Sequence, residues 1–503
     1  MKTQSRREFL ATTAVGSVSV SSLFLLSACT KLKTKAERPP NIVLIVTDDQ
    51  GFGDLGCHGN DKIKTPNLDR LCSEGVELTQ FHVSPVCSPT RASLMTGRYN
   101  YRTGVVDTYL GRSMMYPDEV TLAELLKASG YQTGIFGKWH LGDTYPLRPN
   151  EQGFHESLVH EGGGLAQPSG PEGNSYFNPI LQHNGKSEKY EGYCSDIFTT
   201  TAIQFIENNK AQSFFAYLAF NAPHEPLQIE QKYVEPYKAM GLDDTTAGVY
   251  GMVTNLDENV GRLLEKLTTL NLNENTIVVF MTDNGPQHNR YNCGMRDRKG
   301  SVYEGGIRVP CFIRWQGTLK GGLKVDRLSA HIDILPTLLE ICGVSKPSGL
   351  SLDGQSLFPL LSGRRIDWQD RTLFFQWHRG DEPVLYKNCA ARSQQYKLVN
   401  GKELYDLGVD PGEQNDIAAQ NPGVVEKMCK DYESWFRDVS STRGYKPPRI
   451  QLGTQFQNPV VLTRQDWRGA NNWSDADVGY WEVFVTQTGS YTITLRFTRQ
   501  SKV

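Results

Sequence analysis

Two uninterrupted apolar runs, Asn41-Ile-Val-Leu-Ile-Val46 and Thr276-Ile-Val-Val-Phe-Met281, constrain this chain more than any other feature. Both are rich in β-branched residues and lack polar alternation. That is the pattern of strands covered on both faces, as in a parallel sheet flanked by helices. Both stop the same way, in Thr47-Asp48-Asp49 and in Thr282-Asp283-Asn284-Gly285. Helix patterns over 121–129, closed by Gly130, and over 254–270 alternate with these strands, which predicts an α/β domain around a largely parallel sheet. In such sheets ligands gather beyond the carboxyl ends of the strands. The two strand ends are therefore predicted to bring Asp48, Asp49, Asp283 and Asn284 to one point. Several hard oxygens with no thiolate or imidazole suit calcium or magnesium better than zinc. Either dipeptide alone is also ordinary turn punctuation.

The rest of the chain bounds the class. At 503 residues it is long enough for about three domains at roughly 150 residues each. A formal charge of −2 calls for no nucleic-acid partner. Charged residues at 21% and a mean hydropathy of −0.45 exclude a multi-span membrane protein or a disordered chain. The N-terminus reads as targeting rather than fold: Ser5-Arg6-Arg7-Glu8-Phe9-Leu10 is a twin-arginine pattern, Ala11 to Leu26 a weakly apolar stretch, and Leu26-Ser-Ala-Cys29 resembles a lipobox. The mature chain is expected to begin at Cys29, exported to the periplasm or cell surface and touching a membrane only through a lipid on that cysteine. The alternative, a chance arginine pair before a membrane anchor, suits a longer and less Ser/Thr-rich stretch. The other nine of the ten cysteines show no CxxC pair and are expected to be mostly buried thiols, with one or two bridges left open.

The predicted organisation is a signal over 1–28, a linker over 29–40 ending in Pro39-Pro40, a catalytic α/β domain over 41–365, a small sheet-plus-helix subdomain over 366–448 and a β-rich tail over 449–503. In the tail, Trp481, Val483 and Val485 alternate, as do Tyr491, Ile493, Leu495 and Phe497, predicting a hairpin. A lone hairpin is marginal, so the tail must pack on the enzyme or belong to a truncated module.

Cys87-Ser88-Pro89-Thr90-Arg91 places a cysteine at the predicted start of a helix, with Ser88 as cap and Pro89 at the first position. The helix end and Arg91 would favour a thiolate or an anionic ligand there. Cys-x-Pro-x-Arg followed by Ala92-Ser-Leu-Met-Thr-Gly-Arg98 resembles the signature of the type I sulfatases, whose cysteine is oxidised to formylglycine. The resemblance continues in order through Ile45-Val-Thr-Asp-Asp-Gln-Gly-Phe-Gly-Asp54, Thr65-Pro-Asn-Leu-Asp-Arg-Leu71, Gly137-Lys-Trp-His-Leu-Gly142, Ala222-Pro-His-Glu-Pro226, Thr282-Asp-Asn-Gly285, and Lys299 with Glu304-Gly-Gly-Ile-Arg-Val-Pro310.

The resemblance implies an alkaline-phosphatase-like α/β sandwich and a sulfuric ester hydrolase of bacterial polysaccharide-sulfatase type. Cys87 becomes the formylglycine, made by a formylglycine-generating enzyme, and joins Asp48, Asp49, Asp283 and Asn284 as a ligand of Ca2+, with Gln50 ranked below them. Arg91 and Lys138 hold the hydrated aldehyde. His140 is the base that later collapses the intermediate, and His224 and Lys299 grip the sulfate and protonate the leaving oxygen. Lys138 and His140 face one side if their stretch is extended. His58, His82, His155, His160 and His183 are expected to be structural or substrate-side. Val159-His-Glu-Gly-Gly-Gly164 and the residues to Gly173 are expected to form an active-site loop. The expected substrate is a sulfated oligo- or polysaccharide rather than a small aryl sulfate. The alternatives are a phosphoester or phosphonate hydrolase on the same fold, and a glycan-binding lipoprotein with a dead site.

Overall fold

Asn41–Thr47 lies inside a ten-stranded sheet. The structure, a computed structural model, describes residues 38–364, 367–473 and 478–496, so the signal segment, Cys29 and most of the linker lie outside the described residues. Five adjacent strands form the centre and run parallel: Thr276–Thr282, Asn41–Thr47, Phe214–Ala219, Gln132–Lys138 and Glu156–His160. Cys311–Trp315 is added antiparallel on one side, and Ile180–His183 and Lys186–Lys189 on the other. The outermost of these, Lys-Ser-Glu-Lys, is wholly exposed and charged, which blunts the edge against pairing with another chain.

Every residue of Asn41–Thr47 is buried, because the sheet is covered twice. Ile42, Leu44 and Val46 join one core with side chains of the helices Cys87–Thr96, Leu122–Ala128 and Ile334–Cys342. Val43 and Ile45 join the other, with Pro66–Glu74, Cys194–Asn209 and Asp244–Thr269. Each such side chain removed from water is worth about 1.5–3 kcal/mol. The α/β sandwich with a mostly parallel central sheet is therefore present as expected. Thr121 and Glu124 form a reciprocal cap on Leu122–Ala128. The helix predicted over 254–270 instead begins at Asp244, where the Asp243 carboxylate accepts from the Thr245 and Thr246 N–H groups.

The register aligns the strand ends. Thr47 pairs with Thr282, Val46 with Ala219, and Ala219 with Gly137. Strands from four distant parts of the chain thus finish at one level, beyond which their loops meet.

Beyond this sheet, Leu373–Gln376, Cys389–Arg392, Tyr396–Val399 and Glu403–Asp406 make an antiparallel sheet against the helix Pro422–Ser440. Trp435 of that helix meets Tyr99 edge-on, at 5.2 Å between ring centroids. Glu304 links this antiparallel sheet to the short strand Phe81–His82: it lies 3.2 Å from His82 and 3.1 Å from Lys397, which also reaches Glu413 at 2.9 Å. Burial alone would raise the Glu304 carboxyl, but Lys397 and His82 outweigh it and hold it well below the usual range.

In the tail, Val483–Val485 pairs in parallel with Ile450–Leu452 and not with the predicted hairpin partner. Residues 491–496 form no strand, and Phe497 lies outside the described residues. Ile493 and Leu495 remain exposed, so the alternation there has no covered face to reward pairing. The tail does pack on the α/β domain, through Ile450 with Met114 and Leu147. All nine described cysteines are free.

A one-turn helix, Arg464–Asp466, buries Asp466 to 4% exposure. Burial, with Asp143 nearby, pushes its carboxyl up to about 8. An unfolded aspartate titrates near 3.9, so the folded state binds this proton more tightly. The stabilising contribution is complete below about pH 4 and is lost as pH rises towards 8. Asp466→Asn stays neutral throughout. Thermal melts should give it the wild-type Tm near pH 4 and a higher Tm than wild type at pH 8; coincident curves at pH 8 would contradict the assignment.

Candidate active site

The helix Cys87–Thr96 starts beyond the carboxyl ends of the central strands, and Cys87 is 2% exposed. Ser88 does not cap it. The helix begins at Cys87 after Val86, and the Ser88 hydroxyl donates instead to the His140 carbonyl at 2.7 Å, pinning the neighbouring loop. Nor does the helix end produce a thiolate: burial pushes the Cys87 thiol up, outweighing Lys138 and Lys299. Desolvation exceeds a partial charge at a helix end.

Around this cysteine three buried carboxylates each meet one cation. The Lys138 ammonium lies 2.6 Å from Asp48 Oδ2, the Lys299 ammonium 2.6 Å from Asp49 Oδ1, and the Arg91 guanidinium donates to Asp283 Oδ2 at 2.7 Å and 3.0 Å. The oxygens Asp48 Oδ1, Asp49 Oδ2, Gln50 Oε1 and Asn284 Oδ1 are buried without a hydrogen-bond partner. Ligand atoms of Asp48, Cys87 and Asp283 lie within 4.8 Å of one another, as do those of Asp48, Asp49 and His224. Burial and Asp48 push the Asp283 carboxyl up to about 6, with Arg91 opposing. At Asp49 burial also acts upward, but Lys299 and His224 prevail and hold it well below the carboxylate range. Every strand-end residue singled out in the sequence therefore reaches one place.

The strand Gln132–Lys138 ends at Lys138, and His140 takes a left-handed backbone with φ 61°, so the two are not on one face of an extended stretch. Both still arrive: Lys138 at Asp48, and His140 Nδ1 at 3.5 Å from the Cys87 sulfur. Burial and Lys138 drive the His140 imidazole well below its usual pKa, so it is neutral. His224 Nε2 lies 3.8 Å from Asp49 Oδ2, and burial, partly offset by Asp49, lowers this ring to about 4. The glycine loop covers both rings. A Cβ on Gly163 would stand 2.8 Å from the His140 ring, so glycine there lets the loop lie this close, while one on Gly164 would meet the His224 ring at 3.4 Å, an ordinary contact distance.

His58 and His82 pair with Glu77 and Glu304, as structural residues do. His160 is buried with its ring lowered to about 3 by desolvation. What sequence reasoning missed is Thr108, whose carbonyl accepts from His140 Nε2 at 2.6 Å, and Gln465, which donates to the same carbonyl at 2.9 Å. A backbone carbonyl carries no residue-type signal.

Residues 40–344 match the family described as Sulfatase, and residues 293–435 match N-sulphoglucosamine sulphohydrolase, C-terminal. Arylsulfatase A of Homo sapiens is 31% identical over 463 residues, covering 84% of this chain and 87% of its own length. N-acetylgalactosamine-6-sulfatase of Sus scrofa is 34% identical over 433 residues, 78% of each. Among solved structures, Ps i-CgsB in complex with k-i-k-neocarrahexaose superposes with a TM-score of 0.73 at 30% identity, covering 81% of this chain and 95% of that one.

Proposed function

The chain belongs to the sulfatase family and is a hydrolase of sulfate esters, and from that premise we propose that it desulfates a sulfated saccharide, using a formylglycine made from Cys87 beside a calcium ion. The observation that carries this reading is the pairing of each carboxylate with a cation on one oxygen only, which leaves hard oxygens of Asp48, Asp49 and Asn284 unpartnered next to Cys87. These donors, with Asp283, fit calcium, and Gln50 Oε1 is a further candidate. When bound, calcium would supply positive charge against the sulfate oxygens. Formylglycine would supply a hydrated aldehyde with two hydroxyls, one a nucleophile for sulfur that would displace the alcohol, the other a proton whose loss would re-form the C=O as the C–O bond to sulfate breaks.

The side chains divide the remaining work. Lys138, Arg91 and Lys299 set fixed positive charge where the sulfate's charge shifts, in a site from which water is largely excluded, and so favour the transition state without reorganisation. His140 is neutral with Nδ1 towards position 87, which suits a base. His224 donates Nδ1–H to the Glu225 carbonyl at 2.7 Å, so its Nε2 carries a lone pair until a proton arrives, and Lys299 is the group already protonated beside the leaving oxygen's position. The oligosaccharide bound by Ps i-CgsB and the amino sugar named for N-acetylgalactosamine-6-sulfatase support a sulfated glycan. We also propose export with a lipid anchor at Cys29, and modification by a formylglycine-generating enzyme. No helix among the described residues is long and apolar enough to cross a membrane.

Purified enzyme offered a panel of defined sulfated oligosaccharides, para-nitrophenyl sulfate and para-nitrophenyl phosphate should release sulfate fastest from a saccharide. Faster phosphate than sulfate release would favour the phosphoester reading and overturn this one.

A further inference from the structure

We propose that Gln465, in the C-terminal tail, is a positioning residue for His140, so that the tail completes the catalytic site. The inference rests on the reading of His140 as the base.

A histidine ring has two nitrogens, and its partners decide which is basic. Nε2 of His140 lies 2.6 Å from the Thr108 carbonyl, which can only accept. That nitrogen therefore carries the hydrogen, and the lone pair is on Nδ1, 3.5 Å from the Cys87 sulfur. The Thr108 carbonyl thus sets both the tautomer and the tilt of the ring.

Thr108 sits in a stretch, residues 105–113, with no helix or strand of its own, where the Val106 and Asp107 N–H groups bond the Arg112 carbonyl and the Thr108 carbonyl takes its donors from other parts of the chain. The tail holds it. Gln465 Nε2 donates to the Thr108 carbonyl at 2.9 Å and to the Ser113 hydroxyl at 2.8 Å, while the Gly111 N–H donates to the Gln465 carbonyl at 2.8 Å. Three residues on, Arg468 donates to the Leu110 carbonyl at 2.7 Å. Gln465 is 2% exposed, so no water substitutes for these bonds from the surface. The amide orientation follows from chemistry, since turning it would set oxygen against the Thr108 carbonyl. Two N–H groups, one from His140 and one from Gln465, converge on the two lone pairs of one oxygen. The opposite end of the amide faces the glycine loop: a Cβ on Gly162 would lie 3.2 Å from Gln465 Oε1. Gln465 therefore spans the loop that orients His140 and the loop that covers it. It lies outside residues 40–344 and 293–435, the segments that match the sulfatase families.

The test compares wild type, Gln465→Met and His140→Ala with para-nitrophenyl sulfate, rates being expressed per aldehyde-bearing site. Methionine keeps the volume and removes both donors. Loosening His140 slows proton uptake after the alcohol has left, without touching sulfate binding. We expect kcat for Gln465→Met to fall about tenfold to a hundredfold, with KM falling alongside it so that kcat/KM stays within about twofold, because only the step after the alcohol has left is slowed. A burst of nitrophenol comparable to the aldehyde content should precede the slow steady state, and a crystal structure should show the His140 ring displaced from Thr108. A role in folding alone would lower the folded fraction and leave kcat per site unchanged with no burst; that result, with the ring in place, overturns the proposal. Should the methionine variant fail to fold, Gln465→Asn, which keeps the amide but draws it back by one methylene, is expected to lose kcat in the same way and is overturned by the same result. Wild-type kcat in His140→Ala would instead refute the base reading itself.

Discussion

Cys87→Ala is expected to abolish turnover, by about 10⁴-fold or more, with little change in fold. Loss of a covalent nucleophile removes the pathway rather than tuning it, and what remains is only the positioning and electrostatic assistance the other residues give to water. Relative to the unconverted chain the substitution deletes only a buried sulfur, 3.5 Å from His140 Nδ1, and relative to the converted enzyme only the small aldehyde group at the same position. It leaves every carboxylate–cation pair around it intact. Thermal melts should place the variant within a few degrees of wild type. The companion measurement is the mass of the peptide from Leu71 to Arg91 in active wild-type protein, which should carry an aldehyde at position 87. A highly active preparation showing only thiol there, or an alanine variant with wild-type activity, would remove Cys87 from the mechanism.

Much of this site was legible because parallel strands convert sequence pattern into spatial level. The runs at 41–46 and 276–281 read as doubly buried, and an in-register parallel pair, Thr47 with Thr282, carries Asp48 and Asp283 out of the sheet side by side. Spacing along the chain is irrelevant to that convergence. Ser88 was misassigned for a local reason: a serine just before a proline suits a cap, but the Ser88 hydroxyl found a better acceptor in the His140 carbonyl, from another part of the chain. The first turns of Asp244–Thr269, rich in threonine and glycine, are weak helix formers held by burial of Ala247, Val249 and Tyr250, which no local signal reports. The left-handed turn at His140 and the carbonyl of Thr108 were beyond reach, since neither depends on which side chain stands there. The tail misled because alternation alone cannot say which face will be covered. Val483–Val485 pairs with Ile450–Leu452, while Ile493 and Leu495 stay in solvent.

The second large effect concerns the carboxylates themselves. After dialysis against chelator, wild-type protein is expected to lose activity and to melt at a lower temperature, both being restored by calcium, whereas Asp283→Asn is expected to show almost no calcium-dependent rise. Asp283 is buried, pushed up to about 6 by desolvation and Asp48, and bonded through one oxygen to Arg91. That carboxyl is held charged by too little compensation, which a divalent cation among Asp48, Asp49 and Asn284 would complete. Asparagine preserves the shape and can still offer an oxygen to Arg91, but removes the charge. Breaking a buried pair costs on the order of 3–5 kcal/mol whatever its function, so the absolute melting temperature is not diagnostic. The calcium increment is. At a free concentration of 100 times Kd, binding to the folded state alone stabilises by about 2.7 kcal/mol, and a variant whose affinity is about a hundredfold weaker keeps only ~0.4 kcal/mol. Equal increments in the two proteins would place the cation away from Asp283. No increment in the chelator-treated wild type would mean that Lys138, Lys299 and Arg91 already neutralise the cluster, and that the unpartnered oxygens serve something other than a metal.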